Sequence, residues 1–516
     1  MFSWLLYSSD VDSSRKWTLV ATILGSSLTF IDATVVNVAL PALQADLRAS
    51  ITEVQWVIEA YALFLGALIL VGGAMGDQFG RKRVFLAGLV LFTAASVVCG
   101  LAGSTRALIA ARAVQGVGAA FLVPGSLAII SATFGDADRG GAIGMWSGFT
   151  SITSAIGPVL GGWLIEHVSW RAVFFLNVPL AAAVFVLSSR YMPESRDASR
   201  IARIDWAGAA LVTFGLGAIV FGLLEEPRPD ANRLLLTAAM IGGAVALVVF
   251  LRVERRAPNA MVPLHLFRSR TFTRANILTL LLYAAVLMVI FVLPLNLIQV
   301  QDYTATAAGA ALLPFPVIML ALSRWSGGLV ARTGSRLPLT IGPLVGAIGV
   351  ALHARPGIGG SYWTTFFPAV TVLGVGMAIT VAPLTTTVMG AVATEHAGTA
   401  SGVNNAVARV AGLLAIAVLG LVLVRTFEAR LEERLDRIDL TPSERAVMER
   451  EIPKIAGADV NAVTNDDRRR DALRRAVDDA FVSAFRLVLL VSAGFVLAAA
   501  AVGASMPDAV ATGSDR

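Results

Sequence analysis

Among the ionisable side chains inside long apolar runs of this 516-residue chain, three stand out: Asp32, Glu59 and Arg112. At a bilayer centre such a group costs roughly 2.5–3.5 kcal/mol, so its presence there points to a functional use. At 1.5 Å per residue of helix, Asp32 lies about 12 Å from one end of its run. Glu59 and Arg112 lie about 9 Å from the same-side ends of theirs. The similar depth permits an Asp–Arg or a Glu–Arg contact. Burial disfavours a charged carboxylate and a nearby guanidinium favours it, so a carboxylate held between the two can trade a proton for a bound cation. That exchange is antiport in its simplest form. A static Asp–Arg pair that ties two helices together is the structural alternative. Gln55 and Trp56 share a helix face with Glu59, and Gln115 shares one with Arg112.

The elements that must position these residues are membrane spans. A hydrophobic fraction of 56% with only 15% charged residues does not describe a soluble chain of this length. Fourteen apolar windows follow one another: 17–40, 53–75, 84–103, 106–134, 140–165, 171–190, 205–223, 234–251, 275–300, 307–330, 338–354, 363–391, 399–424 and 481–505. With the N-terminus inside, the inner short loops hold eighteen Lys and Arg and the outer short loops six. That bias places both termini in the cytoplasm. The net charge of +6 lies in these loops rather than on a stripe, so it reads as a topology signal and not as a nucleic-acid surface.

Between the second and third windows the chain reads Gly73-Ala-Met-Gly-Asp77-Gln-Phe-Gly80-Arg81-Lys82-Arg83. This clip resembles the loop between the second and third helices of the major facilitator superfamily. Met75 and Gln78 replace a Leu and an Arg of that pattern. A worn copy, Gly327-Gly-Leu-Val-Ala331-Arg332-Thr-Gly334-Ser-Arg336, lies eight windows later. Two six-helix halves would give a shift of six, so an extra pair of helices separates them. The expected fold is therefore all-α: a major facilitator fold of fourteen transmembrane helices. Its parts are a six-helix half over 1–191, a two-helix insertion over 205–252 and a six-helix half over 273–516. Internal repeats with a binding site at their interface are common in secondary transporters.

Further motifs are similar to those of the fourteen-span drug–proton antiporters of the EmrB/QacA type. They are Ile31-Asp32-Ala-Thr34-Val-Val-Asn37 through Pro41, Arg112-Ala-Val-Gln115-Gly116-Val-Gly118, and Gly148 followed by Gly157-Pro158-Val-Leu-Gly161-Gly162. Trp170-Arg171 through Phe174, Asn177 and Pro179, then Asp205-Trp206-Ala-Gly208, and finally Gly398 through Asn404-Asn405 and Arg409, continue the likeness. The resemblance implies proton coupling through Asp32, Glu59 and Arg112. It implies a cytoplasmic gate at Gly73, Asp77, Gly80, Arg81 and Lys82, and an antiporter motif at Gly148, Gly157, Pro158, Gly161 and Gly162. The small residues of that motif also form a face that a neighbouring helix can approach closely. Residues proposed to meet substrate are Asn37, Gln55, Trp56, Gln115, Asn404, Asn405 and Arg409. The carboxylates favour a cation. Arg409 would suit an anion or zwitterion, since the spans of its half supply no acidic side chain.

Residues 425–480 break the pattern and fall outside by the span count. Thr441-Pro442-Ser443-Glu444 has the order of a capping box, Asn465-Asp466-Asp467 of a second helix start, and Leu431, Leu435 and Ile438 form an apolar stripe. The segment reads as a solvated helical insertion, or as a docking surface for a periplasmic adaptor. None of the three lysines follows a glycine, so a phosphate-cradling Gly-Lys-Ser/Thr loop is absent. His167, His265, His353 and His396 form no metal or triad pattern, and the single cysteine, Cys99, excludes an internal disulfide. The expectation is therefore no enzyme and no cofactor, with transport powered by a gradient or passive; the resemblance implies a proton gradient as the energy source. The expected protein is a monomer in a bacterial cytoplasmic membrane, exporting lipophilic, cationic drugs by alternating access. An exporter of one physiological compound is the alternative, and a non-transporting receptor or scaffold the remote one.

Overall fold

A computed structural model describes residues 10–196, 205–228, 231–257, 262–392 and 397–507. No water reaches a bilayer core, so every backbone N–H and C=O there must be satisfied within the segment, which selects helices. The spans are α1 (Asp10–Leu47), α2 (Ile51–Phe79), α3 (Arg81–Leu101), α4 (Thr105–Thr133), α5 (Asp136–His167), α6 (Ala172–Phe175) with α7 (Asn177–Tyr191), α8 (Trp206–Leu224) and α9 (Arg233–Glu254). They continue as α10 (Arg270–Gln299), α11 (Ala305–Ala311) with α12 (Pro314–Gly327), the short α13 (Leu329–Thr333), α14 (Arg336–His353), α15 (Tyr362–Gly390) and α16 (Ala397–Leu435). After α17 (Pro442–Glu451), α18 (Asp467–Ala504) is the last. Among the described residues thirteen helices are long and apolar enough to cross a membrane. The remaining window of the sequence reading, 140–165, lies in α5. Leu234, Leu235, Ile241 and Val245 of α9 are exposed. In water such a face would invite association, whereas lipid tails solvate it.

Contacts divide the chain into two compact units. The first comprises Met1–Val36, Val57–Gly217 and Gly243–Pro263. The second comprises Asn37–Trp56, Ala218–Gly242 and Leu264–Arg516. The core of the first is built on Leu28, Tyr61, Phe85, Phe92, Leu122 and Val184. That of the second includes the fully buried Phe272, Phe291, Phe366, Phe481 and Phe485.

Both copies of the hydrophilic clip turn on a glycine in the left-handed region, Gly80 at φ 110° and Gly334 at φ 73°. They occupy the same place in the repeat, three residues after Asp77 and three after Ala331. A side chain at Gly80 would be strained by its backbone and would also strike the Glu194 carboxylate.

The charged segment is not a separate appendage. α16 runs unbroken through residue 424 to Leu435, and its Leu431 and Leu435 are buried. The capping box forms as its residue order requires: the Thr441 hydroxyl accepts from the Glu444 N–H, and the Glu444 carboxylate accepts from the Thr441 N–H. Pro442 stands in the first turn, where its missing N–H costs nothing. Asp466 caps α18. A 3₁₀ segment, Ile452–Gly457, then folds back within the second unit. There Gln44 of α1 donates to the Lys454 carbonyl at 3.0 Å and accepts from Gln299 of α10 at 2.8 Å.

The Thr441 N–H, the Thr464 and Thr441 hydroxyls and, more weakly, the Arg469 charge hold the Glu444 carboxyl at about 2, below its ordinary value near 4.5. A lowered carboxyl stabilises the fold above its ordinary value, and the contribution disappears as pH falls through the folded one. Amide-exchange protection of Pro442–Glu451 is therefore expected to hold down to about pH 4.5 and to decline towards pH 2. Thr441→Ala should lower that local stability by about 1 kcal/mol at neutral pH.

Candidate functional site

The first unit gathers Asp32, Arg112 and Gln115 into one buried network. Asp32 is 2% exposed, Arg112 1% and Gln115 0%. Arg112 Nη1 donates to Asp32 Oδ2 at 2.5 Å and to Gln115 Oε1 at 2.8 Å. Gln115 Nε2 donates to Asp32 Oδ1 at 2.8 Å, closing a ring between α1 and α4. The Arg112 Nε–H donates to the Val57 carbonyl at 3.1 Å, and the guanidinium lies 4.1 Å from the centre of the Tyr61 ring. Both partners come from α2. A guanidinium buried this deeply needs each of its faces and donors engaged.

α4 can present these groups because Gly116 lets α2 approach: a Cβ there would strike the Tyr61 carbonyl. On the other side α5 lies directly against the turn of α1 that carries Asp32. A Cβ on Gly157 would meet the Thr34 hydroxyl, and one on Gly161 would meet Val35. The glycines of the fifth-helix motif thus set the distance between α5 and the Asp32 helix. Pro158 and Gly162 are buried beside them. Gly148 is helical, but its surroundings lie outside the described residues.

One participant escaped the sequence reading. Asn177, at the start of α7, donates from Nδ2 to Asp32 Oδ1 at 3.2 Å and to Ser96 Oγ at 3.0 Å. Ser96 in turn donates to the Phe174 carbonyl at 2.8 Å, and the Cys99 thiol lies 3.6 Å from Gln115 Oε1. Asn177 stood within a quoted motif. An amide side chain within an apolar run was the available signal.

Glu59 lies apart from this ring. It is 0% exposed, and neither carboxylate oxygen has a hydrogen-bond partner among the described residues. Of the two contacts that depth permitted, Arg112 makes the one with Asp32. Gln55, in the second unit, packs its amide against Gly420, and Trp56 Nε1 donates to Glu225 Oε1 at 2.9 Å. Asn37 is half-buried on α1. Asn404 ties α16 to α10 through Asn276 Oδ1 at 3.2 Å and Thr279 Oγ1 at 2.6 Å. Asn405 is exposed and bonds to the Ser401 carbonyl, while Arg409 is half-buried one turn further on. A cavity of about 610 Å³ opens elsewhere in the second unit, among Arg48, Glu53, Arg228, Leu435, Arg445 and Lys454.

At the first clip, Asp77 pairs with Arg81 at 2.8 Å across one helical turn-and-restart. The Arg81 N–H donates to the Ser195 carbonyl, the Lys82 N–H to Glu194 and the Lys82 ammonium to the Ser189 carbonyl. These contacts bind the α2–α3 turn to the end of α7. Gly73 lies one turn earlier against Pro124 of α4.

Apolar spans around a buried ionic ring, two of them joined by a charged clip, mark a multi-pass membrane protein of the transporter class. The chain belongs to the Major Facilitator Superfamily, which it matches over residues 22–416. It is 33% identical over 492 residues to the multidrug resistance protein Stp of Mycobacterium tuberculosis (strain CDC 1551 / Oshkosh), covering 93% of this chain and 90% of that protein. It is 31% identical over 503 residues to the tetracenomycin C resistance and export protein of Streptomyces glaucescens, covering 95% and 91%. A bacterial homologue of the human lysosomal transporter Spinster, solved in an inward-facing and unoccupied conformation, shares the fold. Its TM-score is 0.66 at 16% identity, over 96% of this chain and 98% of that one.

Removing one partner of a buried ion pair leaves an uncompensated charge, a loss of about 3–5 kcal/mol, whereas removing both costs far less. Arg112→Met should therefore lower the unfolding stability of detergent-solubilised protein by about that amount. The double variant Asp32→Asn/Arg112→Met should recover most of it.

Proposed function

We propose that this chain is a proton-driven antiporter that exports lipophilic, cationic drugs across a bacterial cytoplasmic membrane by alternating access. The observation that carries the reading is Asp32, a carboxylate buried at 2% exposure yet engaged by donors from two other helices. Such a group can gain a proton when one set of contacts loosens and lose it when they re-form. The Arg112 guanidinium cannot lose its own proton, so charge change at the site falls on the aspartate. Relatives named for drug resistance and antibiotic export support the cargo class, and the acidic side chains of Glu59 and Asp32 support a cation. Two six-helix halves flanking residues 205–252 in sequence would supply the alternating access, with both termini cytoplasmic and the Asp77–Arg81 pair closing the inner gate. The protein would act as a monomer and need no cofactor.

A second reading is an exporter of one physiological compound. It is favoured by relatives named for single antibiotics, such as the tetracenomycin C exporter. Efflux-deficient cells expressing the parent chain should accumulate less ethidium than empty cells, and a protonophore or Asp32→Asn should restore accumulation. Equal accumulation in parent and empty cells, with expression in the membrane verified, would instead favour the single-compound exporter. Export that persists in Asp32→Asn would remove Asp32 as the coupling site.

Glu59 can also be tested alone. An unpartnered buried carboxylate gains most from a cationic ligand, so Glu59→Gln should reduce efflux of cationic dyes about tenfold or more, corresponding to about 1.4 kcal/mol. Efflux of uncharged compounds should change little. Equal losses for both classes would assign Glu59 to packing or coupling.

A further inference from the structure

We propose that Asn177 is a positioning residue that adapts to the protonation state of Asp32, donating to the carboxylate and, with its amide turned over, accepting from the protonated carboxyl. This rests on the proton-exchange reading of Asp32. All the groups concerned lie in the first unit.

A carboxylate only accepts hydrogen bonds, whereas a carboxyl group also has one O–H to donate. As arranged, Asp32 meets three donors: Arg112 on Oδ2, and Gln115 and Asn177 on Oδ1. A proton added to Oδ1 would face donors unless one of them can become an acceptor. Arg112 has no acceptor to offer. Gln115 is held in its present sense at both ends. Its Oε1 accepts from Arg112 and lies against the Cys99 thiol, so turning it would set N–H against N–H.

Asn177 differs. Its Oδ1 is buried with no hydrogen-bond partner among the described residues, so turning the amide over breaks no bond on that side. The oxygen and nitrogen of an amide are nearly equal in size, so the exchange needs no backbone movement. After it, Oδ1 accepts from the new Asp32 O–H. The Ser96 hydroxyl, which now donates to the Phe174 carbonyl, can redirect its proton to the same oxygen. The Phe174 carbonyl keeps its contact with the Leu176 N–H. One proton from water is added to Asp32 Oδ1 and later returns to water, and no other covalent bond forms or breaks.

The other charged or titratable groups interacting with this site are Arg112 from α4, Cys99 from α3 and Tyr61 from α2. Arg112 stays charged, and the thiol and phenol have ordinary values far above the range in which a carboxylate exchanges protons. The acceptor for a protonated Asp32 must then come from an amide or a hydroxyl, and Asn177 is the amide free to supply it.

Infrared difference spectra of the full chain in lipid, recorded between acidic and basic pH, test this. A carboxyl C=O band present in the parent and lost in Asp32→Asn identifies the protonated aspartate. Asn177→Leu should move that band to higher frequency, because the carboxyl O–H loses its acceptor. In the parent chain carrying ¹³C in its asparagine side-chain amides, an amide band should change with pH, and the change should vanish in Asp32→Asn. This second measurement decides the matter if the Leu variant does not fold. An aspartate band unmoved in Asn177→Leu, or labelled amides indifferent to pH, would overturn the role of Asn177 while leaving proton exchange intact. Absence of any Asp32-dependent carboxyl band in the parent would overturn the proton-exchange reading, and this proposal with it.

Discussion

A guanidinium that cannot shed its proton, enclosed at 1% exposure inside a helical bundle, is the constraint to which the first unit is built. Burying such a charge alone would cost far more than a domain's net stability. Three helices therefore contribute to Arg112: a carboxylate from α1, a carbonyl and an aromatic face from α2, an amide from its own helix. The same arrangement that tolerates the arginine organises the aspartate. In the proposed mechanism structural necessity and proton chemistry are served by one set of contacts, because the anion that neutralises Arg112 is also the group proposed to change its charge.

Those contacts require helices closer than ordinary side chains allow. Gly116 brings α4 against α2 at Tyr61, and Gly157 and Gly161 bring α5 against α1 at Thr34 and Val35. In lipid, association gains little from hydrophobic burial and depends on close packing and interhelical hydrogen bonds. The glycines therefore act on the polar network indirectly, by fixing separations to within hydrogen-bond reach. The Asp77–Arg81 pair and the Lys82 contacts work at the other end of α2 by the same logic, on a turn whose backbone only glycine adopts without strain.

Much of the fold was legible in one dimension. Apolar windows gave way to helices because the bilayer leaves the backbone no other solution. The Thr441–Glu444 capping box and the Asp466 cap formed where their residue order placed them, since capping depends on neighbours three residues apart. Less legible was the course of α16. The apolar window ended at 424 because charge begins there, yet the helix continues to Leu435, held by the burial of Leu431 and Leu435. Hydropathy marks where lipid contact stops, and a helix stops only when its backbone bonds do.

The sequence by itself determined that this is a many-span membrane protein, which residues lie at costly depth within the spans, and where its turns fall. Those properties follow from local composition and from spacing along one strand of chain. Only the tertiary structure decided which carboxylate Arg112 would take, for Asp32 and Glu59 lie at similar depth and differ in the direction their helices turn them. It alone brought Asn177 to Asp32 across 145 residues and left Glu59 without a hydrogen-bond partner among the described residues. Depth along a helix can be counted from a sequence, whereas rotation about its axis is set by the neighbours it packs against.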